Sequence, residues 1–438
     1  MELDNLENWR KSHYANEITP KSDGKKVVLM GWMREIRLHG KLAFIVLADR
    51  SGDCQITIKE EENSKFFEKI RSLNREDVIA VKGTVKKTKQ TVRGVEVLLS
   101  DFKLLNRAQT PLPLDVAEKT PALFDTRLDN RVLDLRKPKV LVIFKIRGEI
   151  LRAAREYFAK NNFMEIETPK IIATATEGGA ELFPVSYFDK AAFLRQSPQL
   201  YKELMTACFE KVFEIGPIFR AEPSETTRHI AEVTQMDIEI GFATEEDTWE
   251  VFDDLIPYIY SSVKKNCADE LKILSADLKV PKAPFKRVSY TEVLEALSKK
   301  GLKLKWGEDT PPHGEKLITE IYKGPVIVYG YPSELKPFYI AIHEKDSKIS
   351  HGFDLIMEGL EIASGGRRIH DPKIYESRLK AKGLNPDNFK EITKFYHLGM
   401  PPHSGWAIGV DRLVQVICGL QNVREAVLFP RDVKRLTP

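Results

Sequence analysis

The chain has 438 residues, 42% of them apolar and 30% charged, which allows two or three domains with their own cores and excludes a disordered or fibrous protein. Its 68 basic residues nearly cancel 64 acidic ones, for a formal charge of +4, so any nucleic-acid contact has to rest on local patches rather than bulk charge. The scattered Cys54, Cys208, Cys267 and Cys418 speak against a disulfide framework or structural zinc, and the lack of a signal peptide or long apolar run predicts a cytoplasmic location with no membrane span.

From Lys26 to about Leu105, five β-rich runs separated by turns (27–33, 42–48, 53–58, 78–85, 95–99) predict a small barrel. A helical stretch, Glu62 to Arg71, falls between the third and fourth strands, where an oligonucleotide-binding (OB-type) barrel carries its helix. Pro111, Pro113 and Pro121 mark residues 106–138 as a linker between domains 1–105 and 139–438. Beyond it, Val142, Ile146, Ile150, Leu151, Ala154 and Phe158 recur at helical spacing over 139–162, and Phe163 to Ile172 reads as a strand. The remainder mixes long hairpins with helices near 246–264 and 290–300, without regular β-α alternation. An α+β domain on an antiparallel sheet flanked by helices follows.

Three stretches carry chemistry. In Lys211 to Phe242, strand, polar loop and return strand form a long hairpin, with Arg220 and Glu222 on one face and Gln235, Asp237 and Glu239 on one face of the return. In Gly352 to Gly366, a tight turn centred on Met357 and Glu358 sets Asp354 opposite Glu361, a like-charge pair that a hard cation such as magnesium would reconcile. In GWAIGVDRL, Gly405 to Leu413, small residues precede an amphipathic helix with Arg412 near its start, suited to a phosphate. Each stretch taken alone also reads as a solvated face or an ordinary turn.

Together they resemble, in order and spacing, the signature motifs of class II aminoacyl-tRNA synthetases. FRAE…RH looks like motif 2, GWAIGVDRL like motif 3, and FMEIETP, ending at Pro169, like the dimer-forming motif 1. With the barrel, nearly the whole chain resembles the subgroup for aspartate, asparagine and lysine. The resemblance implies a homodimer that uses ATP and Mg2+, with Arg220 and Arg412 catalytic. Arg220, Glu222, Arg228, His229, Glu361 and Arg412 would bind ATP, and Asp354 and Glu361 the metal.

QSPQLYKE, Gln196 to Glu203, points to aspartate. Ser197 as N-cap and Pro198 as first helical residue would project Gln199 and Lys202 together, and the matching lysine in aspartate enzymes binds the side-chain carboxylate. By the same resemblance Glu177 in TATEGGAELF and Asp237 face the substrate ammonium. Ser364 and Arg368 in SGGRR complete the aspartate site, the arginine pairing bidentately with the carboxylate, and Lys336 adds positive charge nearby. In the barrel, Phe44 and Gln55 match positions that hold anticodon bases, with Arg34, Arg37 and Lys41 as local positive charge; Phe44 in an apolar strand reads equally as core. Two departures stand out: Val233 replaces an adenine-stacking aromatic, and Ala407 and Asp411 replace the usual Gly and Glu of motif 3. The implied substrates are L-aspartate, ATP and tRNA(Asp). The alternatives are a second acceptor, tRNA(Asn), an asparagine enzyme, or a paralogue that no longer charges tRNA.

Overall fold

The computed structural model describes residues 2–173, 182–223 and 226–438. The chain folds as two compact units, Met1–Leu141 and Val142–Pro438.

In the first unit, β1 (Lys26–His39), β2 (Leu42–Asp49), β3 (Gly52–Lys59), β4 (Val78–Lys87) and β5 (Val95–Asn106) close a barrel in the order β1-β2-β3-β5-β4. Alternation drives closure: Val27, Leu29, Ala43, Ile45, Leu47, Ile56, Ile58, Val81 and Val97 turn inward and are buried, while their neighbours face out. Helix α1 (Glu60–Arg71) caps this core with Phe67 and Ile70. Two short helices follow, α2 (Phe124–Asp129) and α3 (Arg131–Asp134), the latter held by the buried Arg131–Asp134 ion pair at 2.8 Å.

Helix α4 (Pro138–Lys160) buries Ile146, Ile150, Ala154 and Phe158 at the expected spacing. The predicted strand from Phe163 to Ile172 is only two dipeptides, β6 (Met164–Glu165) and β7 (Ile171–Ile172), because Pro169 between them supplies no ladder donor. β8 (Pro184–Tyr187) and β9 (Lys190–Leu194) join β7 in a small sheet. Helix α5 (Gln199–Phe209) precedes the long hairpin β10 (Lys211–Phe219) and β11 (Glu232–Gly241). Then come α6 (Glu245–Asn266), α7 (Ala268–Leu274), β12 (Lys286–Ser289), α8 (Tyr290–Lys299), α9 (Pro312–Tyr322) and β13 (Val326–Tyr329). A small hairpin, β14 (Ile342–His343) with β15 (Asp346–Ser350), leads to β16 (Gly352–Met357) and β17 (Leu360–Arg367). Helices α10 (Pro372–Ala381) and α11 (Lys390–Tyr396), strand β18 (His403–Gly409) and helix α12 (Val410–Cys418) finish the unit.

Eight strands form the main sheet, ordered β12-β13-β16-β17-β18-β11-β10-β6. Its inner strands run antiparallel as expected, but both edges pair in parallel, β12 with β13 and β6 with β10, so the sheet is mixed. One face, with Phe213, Met236, Ile238, Phe353, Leu355, Trp406 and Ile408, packs in one apolar core with Ile146 and Ile150 of α4 and Phe252 and Ile256 of α6. The polar residues of the same strands therefore share the opposite face. No described helix is long and apolar enough to cross a membrane.

Candidate active site

Register alone lines up the polar face. Glu214 pairs with Asp237, Asp237 with Ala407, Ala407 with Ser364 and Ser364 with Asp354, a straight row across five strands. The next row holds Glu239, Gly405, Gly366 and Gly352. Without side chains on three of its four positions, this row is a trough beside a buried carboxylate. A Cβ on Gly405 would strike the Ile238 carbonyl oxygen and a Glu239 carboxylate oxygen, so glycine is what lets Glu239 lie flat there.

Two cations close on Glu239. Arg368, just past β17, is 3% exposed and donates Nε to Oε1 at 3.0 Å and Nη2 to Oε2 at 3.3 Å. Lys202 of α5, 1% exposed, donates to Asp237 Oδ1 at 2.9 Å and lies 3.6 Å from Glu239 Oε2. Burial by itself would weaken the Arg368 charge, but the Glu239 and Glu203 carboxylates override it and hold the guanidinium above its ordinary range. Burial raises Asp237, opposed by Lys202. Among the described residues Arg368 Nη1 has no hydrogen-bond partner, so the fork has a donor free for a ligand.

Helix α5 begins one residue later than expected, with Pro198 at the cap position and the Ser197 hydroxyl accepting from the Gln199 N–H at 3.2 Å. Lys202 turns to Asp237, and Gln199 donates to Glu203, which also accepts from the Tyr396 hydroxyl and faces His403 Nε2 at 3.6 Å. Ser364 is exposed in the row between Ala407 and Asp354. Glu177 lies outside the described residues.

The other end of the cleft gathers arginines. Arg412, in the first turn of α12, donates to the Glu361 carbonyl at 2.8 Å and lies 4.0 Å from its carboxylate. Arg228 pairs with Glu315 at 2.9 Å and donates to the Gly359 carbonyl at 3.2 Å. Arg220, 42% exposed, reaches Glu222 at 3.3 Å. His229 is held below its ordinary value by burial and then by the charge of Arg412, with Arg220 and Arg228 adding to it and Glu222 opposing. Six of the expected nucleotide residues thus sit together, with Glu315 as an unforeseen seventh that also accepts from the Glu361 N–H at 3.1 Å. Val233 lies on β11 opposite Ile218. Asp411 faces inward, accepting from the Thr234 N–H at 2.9 Å and from Arg147, and so locks α12 to β11.

The Asp354–Glu361 pairing needs correction. The turn is Glu358–Gly359, both with positive φ (49° and 75°), and the register shifts between Leu355 and Ile356, so Asp354 pairs with Ser364 and Glu361 with Ile356. Asp354 and Ile356 share a face of β16 and Glu361 is opposite the latter, so the two carboxylates still lie on one side of the sheet, while the bulge brings Ser364 opposite Asp354. The two carboxylates do interact: burial and then the Asp354 charge push Glu361 up to about 7, against Arg412 and Lys336. Its side chain is still 43% exposed, because the cleft surrounds it without sealing off water. Asp354 is gripped by Lys336 at 2.6 and 2.7 Å. No group of three or more His, Cys, Asp or Glu side chains poised for an ion occurs among the described residues. The two carboxylates supply hard oxygen donors for a cation that takes its other ligands from phosphates and water, and such a cation would take the place Lys336 now holds on Asp354.

Sequence reasoning missed a second buried cluster in this cleft. Glu214 accepts from Arg195 at 2.7 Å, Thr168 at 2.7 Å and Lys170 at 2.9 Å. Burial would raise it, yet these donors keep it below its ordinary value. Only its alternation with apolar neighbours on β10 hinted at it.

In the barrel, Phe44 faces outward, paired with Arg37 and Thr57, and Gln55 is bonded by Arg37 at 3.4 Å and to Glu96 at 3.4 Å. Arg34 is engaged elsewhere: it sits at the β1 bulge, pairs with Glu76 and donates to the Arg136 carbonyl at 3.0 Å. The structure therefore groups Arg37, not Arg34, with Phe44 and Gln55.

Comparison with known proteins agrees with this geometry. Residues 124–433 match the class II tRNA synthetases for D, K and N, and residues 27–105 match the OB-fold nucleic acid binding domain. The aspartate–tRNA(Asp/Asn) ligase of Methanococcus aeolicus is 45% identical over 435 residues, 99% of each chain. Its namesake from Methanothermobacter thermautotrophicus is 45% identical over 99% of this chain and 100% of its own. Among solved structures, asparaginyl-tRNA synthetase from Pyrococcus horikoshii complexed with asparaginyl-adenylate has a TM-score of 0.93 at 33% identity, covering 98% of this chain and 100% of that one. Aspartyl-tRNA synthetase from Entamoeba histolytica gives 0.88 at 28% identity, over 100% and 96% of the two chains. A trough walled by Lys202 and Arg368, an arginine-lined cleft beside it and an N-terminal OB barrel place this chain in the class II aminoacyl-tRNA synthetase family of the aspartate, lysine and asparagine enzymes.

Proposed function

We propose that this synthetase is an aspartate–tRNA ligase acting in the cytoplasm, which activates L-aspartate with ATP and transfers it to tRNA(Asp) and also to tRNA(Asn). The observation that carries the reading is the convergence of Lys202 and Arg368 on one trough, with Arg368 Nη1 still free to donate. A carboxylate ligand suits two cations converging on one trough, where Arg368 keeps an N–H beyond its pairing with Glu239. Relatives named for both tRNAs support the pair of acceptors.

In this reading the aspartate side chain lies against Lys202 and Arg368, with its ammonium toward Asp237 and Glu177. Gln199 and Ser364 line the same site. Its α-carboxylate then attacks the α-phosphorus in line: the new carbon-to-phosphate anhydride forms as pyrophosphate leaves. Arg220 offsets charge building on the attacked phosphate, Arg412 and Arg228 hold the outer phosphates, and Glu222 and His229 position the nucleotide. Asp354 and Glu361 would hold magnesium, which when bound supplies Lewis acidity and countercharge to the phosphates. A hydroxyl of the terminal adenosine of tRNA attacks the anhydride carbonyl, and adenylate departs. No protein nucleophile takes part. The barrel, 1–105, reads the anticodon through Phe44 and Gln55 with Arg37 beside them; 106–138 links it to the catalytic domain, 139–438. A homodimer forms through the motif 1 region ending at Pro169, where β6 is an edge strand with Met164 50% exposed.

Aspartate-dependent exchange of pyrophosphate into ATP, followed by charging of separately purified tRNA(Asp) and tRNA(Asn), tests this. Exchange driven by asparagine instead of aspartate would refute the amino-acid assignment.

A further inference from the structure

Two cavities outside the amino-acid trough adjoin each other. One, of about 730 Å³, lies between Thr227, Arg228, the hairpin tip at Glu358–Gly359 and the outer side of α12. The other, of about 400 Å³, lies between residues 279–286 and 322–325. Tyr260, Lys279 and Glu358 wall both, so the two form one continuous groove. Its lining carries Lys279, Lys282, Lys286, Lys316 and Lys323, all exposed, together with Arg228, against only Asp277 and Glu358 among the acids. That is a strong local excess in a chain whose overall charge is +4, and a concave surface of one sign focuses the field of its charges. The lysines are little used within the protein. Lys279 stands 3.8 Å from Asp277, both 86% exposed, and Lys286 lies 5.0 Å from the Tyr322 ring. Lys282, Lys316 and Lys323 make no ion pair among the described residues. On the floor, the side-chain oxygen of Gln415, a residue only 6% exposed, has no hydrogen-bond partner.

We propose that this groove binds the phosphodiester backbone of the tRNA strand that leads to the reacting adenosine. The proposal rests on the synthetase reading above, in which that adenosine reacts beside Arg220 and Arg412. The strand behind it has to cross a surface adjoining this cleft, and the groove adjoins it through Arg228, whose guanidinium belongs to the nucleotide cluster and also lines the groove. Phosphates spaced along a strand suit separated lysines as point charges, and Gln415 offers an acceptor to a 2′-hydroxyl or base amino group. The more apolar cavity of about 760 Å³ lined by Phe242, Ile369 and Ile374 touches Arg367 and Arg368 of the amino-acid site but carries no lysine.

The test is the full-length triple variant Lys282→Glu/Lys316→Glu/Lys323→Glu, beside a control triple, Lys373→Glu/Lys390→Glu/Lys394→Glu, that changes the net charge equally without lining either cavity. The groove variant is expected to raise the KM for tRNA about tenfold or more and to flatten the salt dependence of binding by about one unit of log-log slope per lysine. The control and aspartate-dependent pyrophosphate exchange should stay near wild type. Equal effects of the two triples overturn the proposal. A parallel fall in exchange also overturns it, by assigning the groove to nucleotide or pyrophosphate. Loss of exchange in the wild-type enzyme would instead refute the synthetase reading. Should the variant fold poorly, acetylation footprinting of the wild-type protein decides: tRNA, but not inorganic tripolyphosphate at equal phosphate concentration, should protect Lys282, Lys316 and Lys323, and no protection overturns the proposal.

Discussion

Arg368 holds Glu239 side-on, with Nε and Nη2 at 3.0 and 3.3 Å from the two carboxylate oxygens and both side chains buried. This geometry uses the planar fork of arginine and cannot be copied by an ammonium group. Arg368→Lys keeps the charge but loses the fork and the free Nη1. It is expected to lower kcat/KM for aspartate in pyrophosphate exchange by about 100-fold or more, with the KM for ATP little changed. Titrating both substrates in the exchange assay checks this, and an unaltered aspartate KM would remove Arg368 from the site.

Glu361 titrates near working pH, at about 7, raised by burial and by Asp354. A divalent cation needs the ionised carboxylate and so competes with the proton. Between pH 8 and 6 the magnesium concentration for half-maximal exchange should climb, by about tenfold per unit once well below 7, and Glu361→Gln should show a weaker and flatter requirement. Stability has the opposite sense. An acid raised from 4.5 in the unfolded chain to about 7 in the folded one binds more protons when folded, so its contribution is present below 4.5 and lost as pH rises through 7. Denaturant melts at pH 5 and 8 should show Glu361→Gln gaining on wild type with pH; with 43% of the side chain exposed, solvent screening keeps the gain small. A pH-independent difference would refute the assignment.

The pattern of legibility follows from range. Period-two alternation is local, and it located all five barrel strands and the β10–β11 hairpin, while the 3.6 period located α4 and α6. Lys202 and Arg368 were readable from motif context. Their common partner Glu239 was readable only as a face, because the contact joins α5, β11 and the end of β17, far apart in sequence. The tight turn was misplaced by one residue, although the Glu358–Gly359 dipeptide, with glycine in second place, carried the signal for a turn with two positive φ values. The bulge after Leu355 had no comparable mark. Arg34 was credited to the anticodon face because strand parity fails at the β1 bulge that redirects it to Glu76.

Gly405→Ala tests the trough directly. The added Cβ would meet the Ile238 carbonyl oxygen, which is backbone in the sheet centre and cannot yield, and would lie 2.6 Å from Glu239 Cδ. Overpacking of this kind costs about 1–3 kcal/mol, so the melting temperature should fall by several degrees, read by circular dichroism. Because Glu239 is displaced with it, the aspartate KM should rise more than the ATP KM. A fall in stability with both KM values unchanged would show that the trough is not where aspartate lies.

Phe44 separates RNA reading from chemistry. It projects from the outer face of β2 between Arg37 and Thr57, whereas Ala43, Ile45 and Leu47 fill the barrel. Phe44→Ala should therefore leave barrel stability and aspartate-dependent exchange near wild type. Stacking of a base on an aromatic ring contributes about 1–3 kcal/mol, so the KM for tRNA should rise by roughly 5- to 150-fold, and Phe44→Trp should restore most of the loss. Aminoacylation titrated with purified tRNA(Asp), at fixed salt because the phosphate contacts are salt-sensitive, reads both variants. Since Arg37 already holds Gln55 at 3.4 Å on this face, Arg37→Ala should act in the same direction by a smaller factor. A Phe44→Ala enzyme that charges tRNA with wild-type KM would mean that the anticodon is read from some other surface of the barrel.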